Sequence, residues 1–381
     1  MLRKFKHVDA PIIAILLVLM VISTMLVYSA TLDDPKISFD LKKTLAIYGI
    51  GIVALLGVTF VDYRLLMKIA PYLYITGIVL LVAVYMFGIE KNKARSWFKL
   101  FGGLEFQPAE LVKLLLIIAL AAFLARLKGD ALKFTTGVIP IGTITLVPFI
   151  LVLIQPDLGN AIIYLVILIG MLWIGNVKYT HFLIGIIVAV GSLALLLYMF
   201  AHFHDPIKDY LESHHKGHWV ARMDTFLNPE EASRDDKFQV DNSMKAIGSG
   251  SLFGESYLKG TSVHRGYIPY AYSDSIFVVI GEEFGFMGAS VLLLLYFVLI
   301  YRMILIALQC SDHGGSYVII GIVSMFVFQI FENIGMLIGI MPLTGITLPF
   351  ISYGGTSLMI NMMSLGLVMS IKVHQDKEPS F

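Results

Sequence analysis

The stretch PAELVKLLLIIALAAFLA, residues 108–125, decides what kind of chain this is. It is an 18-residue apolar run interrupted only by Glu110 and Lys113 near its start. At 1.5 Å per residue such a run makes a helix of about 27 Å, close to the ~30 Å of hydrocarbon in a bilayer. Working outward, similar runs occur at about 11–29, 42–61, 69–88, 137–154, 159–175, 180–201, 275–301, 316–340 and 355–372. The composition agrees: 57% of the 381 residues are hydrophobic and 14% charged, against roughly 25% charged in soluble domains. That excludes a soluble enzyme, a disordered chain and a collagen-like chain. A formal net charge of +1 gives no electrostatic case for a nucleic-acid partner, and the single cysteine, Cys310, excludes an intramolecular disulfide.

Backbone in hydrocarbon must satisfy its own hydrogen bonds, so the ten runs predict helices. The expected fold is all-α: a polytopic membrane protein of about ten transmembrane helices, one domain over residues 1–381, with one long extracytoplasmic loop at about 202–273. Arg3, Lys4 and Lys6 precede the first run as in a signal peptide. Its apolar stretch is too long for that, and nine more runs follow, so it reads as the first membrane helix. With the N-terminus inside, twelve lysines and arginines fall in inner segments and seven in the short outer loops. This bias predicts both termini cytoplasmic.

Ionisable groups beside membrane helices are functional candidates. Glu110 and Lys113 are three apart and share a helix face. They read either as a self-neutralising pair or as a cavity-facing lysine for an anionic group. Before them, Lys91-Asn92-Lys93-Ala94-Arg95-Ser96-Trp97-Phe98-Lys99 interleaves cations with aromatics, suiting a headgroup belt or a grip on a phosphorylated amphiphile. Residues 341–357, MPLTGITLPFISYGGTS, are too apolar for a free loop and too rich in proline and glycine for a regular helix. Gly354-Gly355-Thr356-Ser357 then opens the last helix, either as a tight interfacial turn or as bare N–H groups favouring a phosphate-like anion. Asp274, at the end of Tyr272-Ser273-Asp274, reads as a helix N-cap or as an outward-facing base. Glu282, Glu283 and Glu332 lie deeper and must be protonated, paired or hydrated, while Gly281, Gly285 and Gly288 suit close helix packing. His202, His204, His214, His215 and His218 match no tight zinc template.

Taken together, these motifs make the chain similar to the SEDS family of shape, elongation, division and sporulation proteins, which includes RodA, FtsW and SpoVE. The matching stretches are ARSWF (94–98), QPAELVK (107–113), QPDLG (155–159), AIGSG (246–250), YIPYAYSDSIFVVIGEE (267–283), NIGM (333–336) and PLTGITLPFISYGGTS (342–357), all in family order. AIGSG and the short termini lean toward the RodA branch. The family often has Asp-Phe where Asp274-Ser275 stands, a proline-acid pair near Pro269-Tyr270 and a glutamine at Asn242. These departures leave Asp274 in place and alter the shape expected of the acceptor site.

The resemblance implies a peptidoglycan glycosyltransferase of the cytoplasmic membrane. It would polymerise lipid II at the outer leaflet for cell shape, elongation or division, beside a class B penicillin-binding protein. It matches Asp274 to the family's essential aspartate, Trp97 to its loop tryptophan and Glu110–Lys113 to its intramembrane pair. The reaction needs one base for the acceptor hydroxyl, and no general acid because pyrophosphate leaves readily. Asp274 is therefore the expected catalytic residue. Lys113, Glu110, Trp97, Arg95, Gln107, Asp157, Ser352, Gly354, Gly355 and Ser357 are the expected substrate-binding set. No organic cofactor is expected, and a divalent cation, Mg or Mn, would suit the pyrophosphate. The competing readings are a lipid II flippase, which wants a site near the bilayer midplane, and a non-catalytic activator of the penicillin-binding protein.

Overall fold

The scarce carboxylates do much of the work of starting the helices. Asp9, Asp40, Asp62, Asp157 and Asp312 each stand at an N-cap and accept a backbone N–H of the first turn. Such a cap satisfies one of the four orphan donors of a helix start. The computed structural model describes residues 8–33, 40–91, 94–99, 105–127, 132–213 and 234–375.

In chain order the elements are α1 (Ala10–Thr31), α2 (Leu41–Phe60), α3 (Tyr63–Lys68), α4 (Ala70–Phe87), β1 (Ile89–Lys91), β2 (Ala94–Lys99), β3 (Glu105–Phe106) and α5 (Pro108–Ala125). A π-turn at Phe134–Val138 leads into α6 (Ile139–Ile154), then come α7 (Leu158–Ile174), α8 (Tyr179–His202), α9 (His204–Ser213), α10 (Arg234–Ser249) and α11 (Thr261–His264). The chain closes with α12 (Ile276–Gln309), α13 (His313–Leu337) and α14 (Gly355–Val373). Among the described residues eight helices are long and apolar enough to cross a membrane. The apolar α7 is one residue shorter than the shortest of them, at 17 residues, and α8 is 24 residues long.

The chain is mostly helical rather than all-α. Between α4 and α5 the antiparallel order β1-β2-β3 forms a small sheet, with Ile89 opposite Trp97 and Phe98 opposite Phe106. This segment carries too many cations to lie in hydrocarbon, and outside it strand pairing satisfies the backbone as well as a helix would. The long loop 202–273 also contains helices α9, α10 and α11.

Helices α5, α13 and α14 form the interior of the bundle, whereas α2, α4 and α6 turn broad apolar faces outward. The last helix ends where the first begins: Asp9 lies 2.7 Å from Arg302 Nη2 of α12 and also receives Lys372 Nζ of α14. The starts of α12 and α14 therefore lie at the opposite face, where Thr356 joins α14 to β3 and so to the start of α5.

Helix α12 is broken at Gly285, whose φ of 61° and ψ of −158° suit glycine alone. The freed carbonyls of Glu282 and Glu283 accept from Glu255 N and Ser256 N, and Phe286 N and Met287 N donate to the carbonyls of Ser251 and Leu252. The loop thus mends the broken ladder. Gly285 breaks the helix and also packs as expected, since a Cβ there would meet Gly254 N at 2.5 Å. Gly281 packs likewise, since a Cβ there would meet Ile247 at 2.9 Å.

Candidate active site

Four groups of residues meet at the face opposite Asp9. The first grows from the start of α5. Lys113, fully buried, donates to Glu110 Oε1 at 2.8 Å, as the i, i+3 spacing requires. Gln107, one residue before the helix, donates to Asp157 Oδ2 at 2.7 Å, and Asn160 donates to the same carboxylate from Nδ2 (2.9 Å) and its backbone N (3.2 Å). Burial raises the Asp157 pKa above the ordinary carboxylate value, and the Asn160 donors oppose that. The two Gln-Pro-acid turns are thereby joined into one polar cluster.

The second group surrounds Asp274. It is not the cap of α12: Ser275 holds that position and makes no side-chain cap bond. Instead Asn333 Nδ2 of α13 donates to the carbonyl of Asp274 at 2.8 Å and to that of Ile346 at 2.7 Å, clamping the aspartate to the broken segment. Gly345, at φ +74°, lies where an added Cβ would sit 3.5 Å from Asp274 Oδ2. Oδ1 is shut off from solvent and has no hydrogen-bond partner among the described residues. Burial, rather than a neighbouring charge, pushes the Asp274 pKa up to about 6. Asn333 and Gly345 stand inside the NIGM and PLTG motifs, but only the fold shows that they position the aspartate.

The third group is the broken segment itself. Ser352 Oγ accepts from Leu348 N at 2.7 Å, Ser357 and Thr347 hydroxyls pair at 2.7 Å, and Tyr353 N donates to the Tyr272 carbonyl at 3.0 Å. The Ser352 and Ser357 hydroxyls therefore hold the turn. Gly354 caps α14 without any side-chain bond, and a Cβ on Gly355 would meet nothing within 4 Å, so this helix start is open. Tyr270 and Phe350 have φ of 51° and 63°, strained for bulky residues, and they flank Asp274 and Ser352 in the chain.

The fourth group is β2. Ser96 Oγ reaches the Gln155 carbonyl at 3.2 Å, and Gln155 Nε2 donates to the Leu81 carbonyl at 2.9 Å, so the strand is tied to the second Gln-Pro-Asp turn. Thr356 Oγ1 of α14 donates to the carbonyl of Glu105 in β3 at 2.6 Å. Trp97 is half-buried and Arg95 exposed on β2. Every expected site residue thus lies at one end of the bundle, within these four groups.

Glu282 and Glu283 lie apart from them. Glu282 accepts from Ser262 N (2.6 Å) and Val263 N (3.1 Å), and Glu283 pairs with the Ser29 hydroxyl. His214, His215 and His218 lie outside the described residues, and among the described residues no three His, Cys, Asp or Glu side chains converge as metal ligands.

A buried lysine–glutamate pair, an aspartate clamped through its main chain and an open helix start thus form one polar site in a membrane bundle. The cell cycle protein family model of FtsW, RodA and SpoVE matches residues 7–377, and the chain belongs to this SEDS family of peptidoglycan glycosyltransferases. It is 34% identical to Stage V sporulation protein E of Bacillus subtilis, over 97% of this chain and 98% of that one. It is 31% identical to the peptidoglycan glycosyltransferase MrdB of Escherichia coli, over 97% and 94%. Among solved structures, a chain of a peptidoglycan synthase complex that coordinates polymerization and crosslinking superposes with a TM-score of 0.76 at 28% identity, covering 97% of this chain and 99% of that one. Thermus thermophilus RodA superposes with a TM-score of 0.67 at 28% identity, over 97% and 98%.

Proposed function

We propose that this chain polymerises lipid II at the outer face of the cytoplasmic membrane, with Asp274 as the base. The enzyme is a peptidoglycan glycosyltransferase of cell-wall synthesis and a multi-pass membrane protein. The observation that carries the role of Asp274 is a main chain clamped by Asn333 and a buried carboxylate with one oxygen unpartnered among the described residues and a pKa near 6. A free aspartate near 3.9 is a weak base, and a value near 6 brings it closer to the working pH while leaving it ionised there. The acceptor hydroxyl oxygen bonds to the donor's anomeric carbon, the bond from that carbon to the pyrophosphate breaks, and the hydroxyl proton passes to Asp274.

The leaving pyrophosphate needs positive charge and hydrogen-bond donors. Lys113 uses one of its three N–H donors on Glu110, and the open start of α14 and Arg95 lie at the same end of the bundle. A divalent cation, Mg or Mn, would add charge at the leaving group. It would be held largely by phosphate oxygens with one protein carboxylate, the usual manner of Mg²⁺, and the Asp274 carboxylate, whose Oδ1 has no partner among the described residues, would suit it.

Ten spans, counting α7 and α8, put both termini on the cytoplasmic side and the site outside. This fits the Asp9–Lys372 contact that brings the two ends of the chain to one face. A class B penicillin-binding protein is the partner, a reading supported by the likeness to a chain of a peptidoglycan synthase complex. The test is lipid II polymerisation by the purified, partner-bound protein. Asp274→Asn, folded and still bound to its partner, is expected to lose at least ~100-fold in rate. Polymerisation at the wild-type rate would sink the assignment.

A further inference from the structure

Glu332 is fully buried in α13, next to the Asn333 that clamps Asp274. Neither of its carboxylate oxygens has a hydrogen-bond partner among the described residues. Among the described side chains, the charges that act on it are Lys113 of α5 and Asp157 at the start of α7. The Thr344 hydroxyl is beside it, within reach of the carboxylate, and also contacts Met336 Sδ at 3.9 Å.

Three carboxylates, Glu110, Asp157 and Glu332, therefore share one ammonium. The hydrogen bonds show how the charge is divided. Glu110 has Lys113 at 2.8 Å. Asp157 has three N–H donors, from Gln107 and Asn160. Glu332 has no cation in contact and no N–H donor, only the Thr344 hydroxyl beside it. A buried carboxylate without either is the costliest group of the three to ionise. Gln329, one turn earlier, is also fully buried with its amide oxygen and nitrogen unpartnered, so this strip of α13 is polar without being satisfied by protein.

We infer that Glu332 is a positioning residue that works as a neutral carboxylic acid. Its retained proton keeps a third negative charge away from the donor pyrophosphate, and its O–H is available to a phosphate oxygen. The role in donor binding rests on the placement of the pyrophosphate near Lys113 proposed above. It gives a function to the carboxylate of the cluster that has neither the lysine nor an N–H donor in contact.

The test has two arms. In the first, infrared spectra of the resting protein at pH 7 are compared between wild type and Glu332→Gln. The wild type is expected to show the C=O stretch of a buried protonated carboxyl, and the variant to lose it. In the second, the donor KM of the partner-bound enzyme is measured against pH. Glu332→Ala is expected to raise the KM about tenfold with a smaller change in kcat, the size of one lost hydrogen bond to a charged group. Glu332→Gln, neutral and able to donate, is expected to restore most of that loss. In alkaline buffer the wild-type KM is expected to rise as Glu332 ionises, and that of Glu332→Gln to stay flat. An unchanged carboxyl band in Glu332→Gln, or the same alkaline rise in both proteins, overturns the inference. Failure of the pyrophosphate placement itself shows separately, as a Lys113→Met variant with an unchanged donor KM.

Discussion

Two buried charge clusters sit at opposite ends of this bundle, and they are built on opposite plans. At one end Asp9 faces Arg302 and Lys372, two cations to one carboxylate, and caps α1 as well. Its partners are about 30% exposed, so their charge is shared with water. Burial of Asp9 favours its proton, but hydrogen bonds from Arg302 and Lys372 win and hold its pKa below the ordinary value. At the other end three carboxylates surround one buried lysine, and Glu110 Oε2, Glu332 Oε1 and Oε2 and Asp274 Oδ1 are without partners among the described residues. The first cluster fastens three helices. Among the described residues the second leaves four carboxylate oxygens unmet, against the single Arg302 Nε at the first, and unmet buried acceptors are not favoured by stability alone. That contrast marks the second as the place built for a ligand.

The largest effect that separates the plans is at Lys113. Lys113→Met leaves Glu110 buried without its cation and is expected to destabilise the fold by about 3–5 kcal/mol, read as a lowered Tm in detergent. Glu110→Gln combined with Lys113→Met is expected to regain most of that stability without regaining polymerisation. A double variant that regains both would make the pair purely structural, like the Asp9 cluster. Next is Asn333→Leu, which removes both hydrogen bonds holding Asp274 and Ile346. It is expected to lower kcat by about 10- to 100-fold, or ~1.4–2.7 kcal/mol, with a smaller change in donor KM. A kcat equal to wild type would show that the aspartate needs no clamp.

The pH dependence follows from the sign of the Asp274 shift. Burial raises its pKa to about 6, so the carboxylate keeps a proton through a range where a free aspartate is ionised. As a base it is inactive while protonated. Polymerisation is therefore expected to fall about tenfold per pH unit below pH 6 and to level off above it. An acid limb near pH 4 would mean that burial does not govern this group. The smallest expected effect is at the far end. Asp9→Asn keeps the cap and loses the charge, and is expected to cost about 1–2 kcal/mol, because Arg302 and Lys372 remain partly solvated. The linkage runs the opposite way to Asp274. A lowered folded-state pKa gives stability that is present above the ordinary aspartate value and lost as pH falls below it. An Asp9→Asn variant that lost polymerisation but not Tm would break the division between the two ends.

Much of the site is legible in the residues alone. Glu110 and Lys113 are three residues apart, and helical geometry by itself makes them neighbours. Asp274 and the 342–357 segment stand out because charge and broken backbone are rare in so apolar a chain. What the residues do not reveal is which interactions each one makes. Ser352 and Ser357 stand in the expected substrate-binding set, and only the fold shows that their hydroxyls also hold the turn from within. Gly285 resembles a packing glycine and packs as one, yet it also breaks α12 and lets the 251–256 loop replace the missing ladder. The three-stranded sheet is hidden because its strands are short and its alternation is masked by cations.

The sequence by itself determined that this is a many-helix membrane protein, where its helices lie and which polar residues are scarce enough to matter. Those are local properties, set by the length of hydrocarbon and by the need of each backbone segment to satisfy itself. Only the tertiary structure decided that Gln107 meets Asp157 across 50 positions, that Asn333 holds Asp274 across 59, and that Glu332 comes within the electrostatic reach of Lys113. These contacts join different helices, and in lipid the helices pack by fit rather than by hydrophobic driving force. Fit is a property of whole surfaces, which no single stretch of sequence carries.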